Sequence, residues 1–326
     1  MISTILVTII SFLICLFLMP FFIRYLKSHH DFGIERSGKR GFGVNTSSKN
    51  GTPSMGGVVF VLSSFISFIF ILFCLNRFNF IEAFILLSVG LFGIIGFIDD
   101  DLKMIYHRDE GLRFLPKLFA QILVGLIIGL TLFFFNRKIN LFFPFSNKKF
   151  IILYAIIEIF LYLVWFVGWS NAANFVDGID GLLAGISLIM FIGFTIISIN
   201  KGNFILTIYN FSLIGSLLAY LIFNKPKASI FMGDSGSMSL GAAMCVDVIL
   251  LGNPWALIWF GMFPFLDATS VIIQVFFYHF FHFRVFPVTP LQHIFQRKGW
   301  KEWNIDLFFW AFQLIITIIG VLIWIK

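Results

Sequence analysis

Residues 80–103 read FIEAFILLSVGLFGIIGFIDDDLK. Most of the first nineteen side chains are apolar, and such a run is long enough to cross about 30 Å of hydrocarbon as a helix. Three adjacent carboxylates, Asp99, Asp100 and Asp101, follow immediately. The stretch therefore predicts a membrane-spanning helix with a concentration of negative charge at one end.

The composition of the whole chain also indicates a membrane protein. Of the 326 residues, 59% are hydrophobic and 12% are charged, and the mean hydropathy is +0.97. Soluble domains average about 45–50% apolar and about 25% charged residues, so a soluble fold has no place for these side chains. Disorder is excluded because it requires low hydrophobicity and high charge.

Similar apolar runs predict an all-α integral membrane protein with about ten transmembrane helices. The expected spans are 2–23, 56–75, 80–98, 114–135, 150–169, 182–200, 203–223, 236–252, 255–281 and 304–325. Pro264 predicts a break in the ninth helix. The spans leave no room for a second soluble domain, so we expect residues 1–326 to form a single polytopic domain.

The distribution of positive charge predicts the orientation. The segments between spans alternate between two sides, and 16 of the 23 Lys and Arg residues fall on one of them. The positive-inside rule makes that side cytoplasmic and places both termini outside. Four positive residues oppose this assignment, namely Arg137, Lys138, Lys148 and Lys149. No nucleic-acid partner is expected.

The cytoplasmic side also collects carboxylates. Eleven of the 16 Asp and Glu residues lie there, at the ends of several spans and mixed with Lys, Asn and Gly. This pattern predicts a site at the membrane–cytosol boundary. In the Asp99–Asp101 cluster, bound Mg²⁺ or a phosphate-handling site would account for the adjacent charges, since a cation relieves their repulsion. A solvated helix end is the alternative.

A second polar cluster, Asn171-Ala-Ala-Asn174-Phe-Val-Asp177-Gly178-Ile-Asp180-Gly181, lies between the fifth and sixth spans. Spacing of three places Asn171, Asn174 and Asp177 on one side of a helix, with Asp180 farther round. The two glycines suit a helix break and a close backbone approach to a ligand. A plain connecting loop does not need four such polar groups, so a functional role is favoured.

A third cluster, Phe231-Met-Gly233-Asp234-Ser235-Gly-Ser, precedes the eighth span. Free backbone N–H groups around Ser235 at a helix start would bind phosphate oxygens, and Asp234 could hold the counter-ion. An ordinary helix N-cap is the alternative. Lys117 and Gln121 are four residues apart and face the same way, although a lysine there could simply reach toward the headgroups.

The sequence resembles the phospho-N-acetylmuramoyl-pentapeptide transferases, of the polyprenyl-phosphate N-acetylhexosamine-1-phosphate transferase superfamily (glycosyltransferase family 4). The resemblance covers nearly the whole chain. Five motifs stand in the family order, namely Thr52–Gly57, Gly96–Asp100, Asn174–Gly181, Phe231–Ser235 and Ser270–Gln274.

The resemblance implies a dimeric ten-span enzyme of the bacterial cytoplasmic membrane with its active site facing the cytoplasm. Its implied reaction transfers phospho-MurNAc-pentapeptide from UDP-MurNAc-pentapeptide to undecaprenyl phosphate, giving lipid I and UMP, and requires Mg²⁺. The implied partners are these two substrates, membrane lipids and a second copy of the chain.

Residue roles follow from the matched motifs. Asp234 matches a metal ligand, and Asn174 is expected to share the metal. Asp99 and Asp100 match the groups proposed to activate or position the lipid phosphate. The remaining matches concern the donor, with Asp177 and Asp180 near the nucleoside and metal, Phe231 stacking on uracil, and Lys117 contacting phosphate. Asn171, Gly233 and Ser235 complete the expected binding set.

The chain departs from the family in two places. The usual three consecutive histidines are replaced by Gln292-His293-Ile294, and residues 43–48 lack the usual Gly-Pro and histidine before Lys49. A lone histidine is more often structural than catalytic. We expect His293 to hydrogen-bond the donor substrate rather than act as an obligatory base.

Two other functions are compatible with the sequence. A sister transferase would move N-acetylglucosamine-1-phosphate to a polyprenyl phosphate. A transporter is the alternative from another class, but transporters hold ionisable groups near the middle of the membrane. Here only Glu158, Asp247 and Asp267 lie deep in apolar runs.

The charge asymmetry predicts that Lys39, Asp109 and Lys298 lie in cytoplasmic segments. Single cysteines introduced at these positions should resist a membrane-impermeant thiol reagent added to intact cells. Efficient labelling from outside would overturn the orientation.

Overall fold

The computed structural model of the chain describes residues 2–29, 49, 51–106, 111–135 and 151–325. Lys39, residues 43–48, Asp109 and the four outer positive residues from Arg137 to Lys149 lie outside these ranges. Within the ranges the regular structure is entirely helical, which confirms the all-α prediction. The helices are α1 (Ile2–His29), α2 (Gly56–Cys74), α3 (Phe80–Ile105), α4 (Phe114–Phe135), α5 (Ile151–Val176), α6 (Leu182–Asn200), α7 (Phe204–Asn224), α8 (Gly233–Leu250), α9 (Ala256–Phe260), α10 (Met262–Phe281), α11 (Gln292–Arg297) and α12 (Glu302–Trp324).

Nine helices in the described ranges are long and apolar enough to cross a membrane. The predicted eighth span is present as α8 but is less apolar, because Asp234, Asp247 and several serines lie on it. Helices α2, α3 and α5 pack around α8, and its residues from Asp234 to Ile249 are all buried. Its polar groups are therefore shielded by protein, which is how a bilayer protein tolerates them.

The ninth predicted span is interrupted, as expected, but the break lies at Gly261 rather than at Pro264. Helix α9 ends at Phe260 and α10 begins at Met262. Pro264 is the third residue of α10, where its missing N–H costs little because first-turn amides have no partner within the helix. Gly261 packs against the ring of Trp169, leaving no space for a side chain.

Helices α2 and α8 touch through their backbones. A Cβ on Gly57 would overlap the backbone of Gly236, and a Cβ on Gly236 would lie 2.7 Å from the Cα of Gly57. Neither glycine has room for a methyl group without moving a helix. This contact fixes the start of α8 against α2.

Replacing Gly57 with alanine should therefore destabilise the protein. We expect a loss of about 1–3 kcal/mol, the usual cost of overpacking a tight contact, read as a lower apparent Tm in detergent. Gly168→Ala is the matched control, because Gly168 lies in α5 and a Cβ there would have no atom within 4 Å. Equal Tm values for the two variants would contradict the assigned contact.

Candidate active site

The polar clusters lie on helical turns that continue past the apolar runs. Helix α3 extends to Ile105, α5 extends to Val176 and α8 begins at Gly233, whereas the apolar runs predicted limits at 98, 169 and 236. Asp99, Asn174 and Asp234 are thus held by helical backbone rather than by loops. Their relative positions follow from how α3, α5 and α8 pack.

Asp100 joins the last turns of α3 to the first turn of α8. Its Oδ1 accepts the N–H of Asp234 and its Oδ2 accepts the N–H of Ser235, each at 3.0 Å. Gly233, at φ 76°, has Ser54 Oγ 2.9 Å from where a Cβ would stand. The N–H groups that the sequence predicted to be free for phosphate are therefore bound by Asp100.

The segment before α2 holds the loop before α8 through the backbone. Phe231 donates its N–H to Pro53 O at 2.8 Å and accepts the N–H of Gly56 at 2.8 Å. Met232 O accepts the N–H of Gly57 at 2.9 Å. These bonds fix Phe231 immediately before the carboxylate of Asp234.

Three carboxylates and two lysines form the centre of the site. One oxygen from each of Asp99, Asp100 and Asp234 lies within 4.8 Å of the others. Lys103 Nζ lies 2.6 Å from Asp99, 3.6 Å from Asp100 and 3.1 Å from Asp234. Lys117 forms an ion pair with Asp234 and lies 3.6 Å from Asp99. This centre therefore contains four of the residues predicted for the site, namely Asp99, Asp100, Lys117 and Asp234.

Lys103 was not among the residues predicted for the site. Its signal in the sequence is the spacing of four from Asp99, which places the two side chains on one helix face. A lysine and an aspartate at that spacing also form ordinary ion pairs on helix surfaces. Only the packing of α8 against α3 shows that Lys103 reaches Asp234.

The two asparagines of α5 have different surroundings. Asn174 donates through Nδ2 to Asp234 Oδ1 and to Ser237 Oγ, both at 2.9 Å. Asn171 instead donates to Gln121 Oε1 at 2.8 Å and accepts from its Nε2 at 3.3 Å. Asn174 thus lies in the carboxylate centre, whereas Asn171 joins α5 to α4 one turn away.

A second charged group surrounds Lys49. Lys49 Nζ lies 2.7 Å from Asp180 and 2.8 Å from Glu302, and it stands 5.8 Å from the ring centroid of Phe231. Asp180 also accepts the N–H of Ala228 at 3.0 Å. Phe231 therefore connects the Lys49 group to the loop before Asp234. Neither Lys49 nor Glu302 was predicted for the site.

Asp177 and Gly178 directly follow the end of α5, beside the short helix α11. Asp177 is half-buried and Gly178 is exposed. A Cβ on Gly178 would lie 2.9 Å from His293 Nε2, so the imidazole of α11 sits directly against this glycine. His293 therefore borders the predicted second cluster.

Helix α11 is attached to its surroundings by its first residues. Gln292 is buried and donates through Nε2 to Phe175 O at 2.8 Å. The N–H of Leu291 donates to Asp267 Oδ1 at 2.6 Å. Gln292, at the first position of the usual histidine run, thus contacts protein backbone.

Burial lowers the pKa of His293 below its ordinary value. The positive charge of Lys49 lowers it further, while the hydrogen bond to Gln296 opposes both effects. Because the ordinary pKa of histidine is about 6.5, His293 is neutral at pH 7.

Comparison with known proteins points to a single family. The sequence profile of glycosyl transferase family 4 matches residues 82–252, more than half of the chain. Phospho-N-acetylmuramoyl-pentapeptide-transferase signature 1 matches residues 49–61. A phospho-N-acetylmuramoyl-pentapeptide-transferase of Leuconostoc citreum is 43% identical over 313 residues, covering 95% of this chain and 96% of the relative. The chain belongs to the phospho-N-acetylmuramoyl-pentapeptide transferase family.

Two other relatives carry the same name. The protein of Lactobacillus acidophilus is 35% identical and covers 99% of each chain, and that of Latilactobacillus sakei is 38% identical and covers 96% of each. The transferase signature begins at Lys49 and includes Gly57, and the wider family match contains the three central aspartates. His293 and Glu302 lie outside both matched ranges.

Asp100→Asn should destabilise the junction between α3 and α8. An asparagine offers one acceptor oxygen, so its amide would face one of the two N–H groups as a second donor. A buried unsatisfied donor costs about 1–3 kcal/mol, which should lower the apparent Tm in detergent. Asp101→Asn, in the same helix turn but half-buried, should leave the Tm nearly unchanged. Similar Tm losses in both would contradict the assigned role of Asp100.

Proposed function

We propose that the chain transfers phospho-N-acetylmuramoyl-pentapeptide from UDP-MurNAc-pentapeptide to undecaprenyl phosphate, forming lipid I and releasing UMP. The single observation that carries this proposal is the joining of Asp99, Asp100, Asp234, Lys103 and Lys117 at one end of the helix bundle. Family membership gives the reaction class, and the matched signature favours the muramoyl donor.

The charges of this centre suit a reaction between two anions. A diphosphate donor and a monophosphate acceptor repel each other, and phosphoryl transfer depends mostly on positioning and charge neutralisation. Lys103 and Lys117 reach the carboxylates from α3 and α4 and would offer their ammonium groups to phosphate oxygens. Asp99, which also accepts the N–H of Leu112 at 2.9 Å, is held in place beside both lysines.

The residues present fit Mg²⁺. Three carboxylates face two ammonium groups, so one negative charge remains to be balanced. Carboxylate and amide oxygens are hard ligands of the kind that Mg²⁺ prefers. Asp234 and Asn174 would hold the ion, with Asp99 beside them. When bound, Mg²⁺ supplies charge neutralisation at the diphosphate.

The other predicted residues lie around this centre, and each can be given a role in the proposed reaction. Asp100 acts by positioning Asp234 and Ser235 through their N–H groups. Phe231, next to Lys49, offers an aromatic face for the uracil ring. Asp177 and Asp180 follow the end of α5, where the nucleoside and sugar would bind. Gly233 has no side chain, and this leaves room for the carboxylate of Asp100 against the start of α8.

Lys117 and His293 would each contact the donor. Lys117 already lies on Asp234 and would meet a phosphate of the diphosphate. His293 lies against the exposed Gly178 and is neutral at pH 7, so it would contribute a hydrogen bond rather than charge. An acceptor phosphate monoester with a second pKa of about 6 is largely ionised at pH 7, so no obligatory base is required.

We further propose the location and partners. The protein would be a multi-pass protein of the bacterial cytoplasmic membrane with its site toward the cytoplasm and both termini outside. The excess of Lys and Arg on one side supports this orientation. A homodimer and contacts with membrane lipids are proposed from the family resemblance.

The two alternatives are less well supported. Membership of the transferase family argues against transport, and the deep carboxylates have local partners. Asp247 accepts from Asn210 at 2.7 Å and Asp267 accepts the N–H of Leu291 at 2.6 Å. The muramoyl signature at residues 49–61 argues against the sister reaction, which would use an N-acetylglucosamine donor.

Donor specificity tests the proposed reaction. Purified protein with Mg²⁺ and undecaprenyl phosphate should release UMP from UDP-MurNAc-pentapeptide and not from UDP-N-acetylglucosamine. Excess EDTA should abolish turnover, and added Mg²⁺ should restore it. Turnover with only the N-acetylglucosamine donor would establish the sister reaction, and full activity in EDTA would overturn the metal assignment.

Asp234→Asn should lower kcat by roughly a hundredfold or more, because it removes the charge that Asn174, Lys103 and Lys117 all contact and that stabilises the reacting phosphates through the ion. The folded fraction by size-exclusion chromatography should stay unchanged. Asp109→Asn and Asp101→Asn are controls that should retain nearly full turnover, Asp109 lying outside the described residues. Equal and mild effects at Asp234 and at both controls would refute the assignment.

A further inference from the structure

A chain of polar contacts connects the Lys49 group to His293. Glu302 contacts Lys49 Nζ at 2.8 Å, and its Oε1 also accepts a hydrogen bond from Gln296 Nε2 at 3.1 Å. The other end of the same amide, Gln296 Oε1, lies 2.6 Å from His293 Nδ1. Gln296 therefore bridges a carboxylate and an imidazole.

The chemistry of these groups fixes the direction of the hydrogen bonds. An ionised carboxylate only accepts, and the contact with Lys49 Nζ favours the ionised form of Glu302. Gln296 must then turn its NH₂ toward Glu302 and its oxygen toward His293. An amide oxygen only accepts, so His293 Nδ1 must carry the hydrogen. The reverse orientation of Gln296 would place its oxygen against the carboxylate.

A neutral imidazole that carries its hydrogen on Nδ1 has its lone pair on Nε2. That nitrogen faces Gly178, where a Cβ would lie 2.9 Å away, at the end of α5 beside Asp177. The bond from Gln292 to Phe175 O holds the start of α11 against the same turn. The ring thus has a fixed position as well as a fixed tautomer.

We propose that Gln296 and Glu302 are positioning residues that hold His293 in the Nδ1–H tautomer, so that Nε2 accepts a hydrogen bond from an O–H or N–H group of the donor's sugar or peptide. An ionised phosphate oxygen has no hydrogen to donate and is excluded as the partner of Nε2. The identity of the donor rests on the proposed function, whereas the tautomer does not. Burial and the charge of Lys49 disfavour the doubly protonated ring, which lowers its pKa.

Nitrogen NMR of the full-length protein tests the tautomer directly. The chain contains six histidines, and comparison with His293→Gln identifies the His293 resonances in protein labelled with ¹⁵N-histidine in detergent at about pH 7.5, above the ordinary pKa of histidine. We expect a protonated Nδ1 and an unprotonated Nε2. A protonated Nε2, an averaged mixture or an imidazolium in the unmodified protein would overturn the proposal.

Two variants test the positioning role. Gln296→Leu removes the acceptor and should shift His293 toward the Nε2–H tautomer, and Glu302→Gln should produce a mixture because the new amide no longer dictates the orientation of Gln296. Asn304→Leu makes the same kind of change at an exposed position of α12 and should leave the His293 spectrum unchanged. An unchanged tautomer in Gln296→Leu would overturn the proposal.

Kinetics and ligand addition connect the tautomer to the reaction. Gln296→Leu should raise the KM for UDP-MurNAc-pentapeptide about tenfold with less than about a threefold change in kcat, which corresponds to a loss of about one hydrogen bond. Adding this donor to the unmodified protein should shift the Nε2 resonance without protonating it. Protonation of Nε2 on binding, or an unchanged KM, would overturn the contact. A protein that turns over only the N-acetylglucosamine donor would fail the proposed function while leaving the tautomer measurement intact.

Discussion

The carboxylate of Asp100 bonded to the first N–H groups of α8 is the interaction on which the site depends. A buried carboxylate is costly to desolvate, but here two backbone hydrogen bonds and the positive end of a helix dipole compensate it. Because the same contact joins the end of α3 to the start of α8, it brings Asp99 and Asp234 together. The lysines and Asn174 then gather around a pair of carboxylates that would otherwise repel.

The segment at residues 52–57 supports this junction from the other side. Its backbone pairs with Phe231 and Met232, and Gly57 lets α2 approach Gly236 closely. The transferase signature therefore includes residues whose contribution is to position the loop before α8. Lys49, at the start of the signature, lies with Asp180 and Phe231, so the same segment contacts both charged groups of the site.

The helices could be predicted because a bilayer requires every backbone polar group to be bonded internally, which makes long apolar runs helical. The helix ends could not, since α3 and α5 continue through polar residues once neighbouring side chains satisfy them. The break in the ninth span was expected at the proline, but a proline in a first turn costs little, and the glycine packed on Trp169 marks the actual break. Within the site, Asp99, Asp234 and Asn174 stood out through local clustering, whereas Lys49 and Asp180 are 131 residues apart and nothing in the sequence pairs them. Gln121 shows the converse, since its spacing from Lys117 placed the two side chains on one helix face, but its partner is the amide of Asn171.

The enclosure of α8 constrains how the protein is assembled in the membrane. A charged side chain is costly when a helix partitions alone from the translocon into lipid, about 2.5–3.5 kcal/mol for an aspartate at the helix centre, and α8 carries Asp247 toward its C-terminal end in addition to its serines. Its stable residence in the bilayer therefore requires α2, α3 and α5, all synthesised earlier, to be present as an acceptor surface. The order of the helices along the chain supplies that surface before α8 leaves the ribosome.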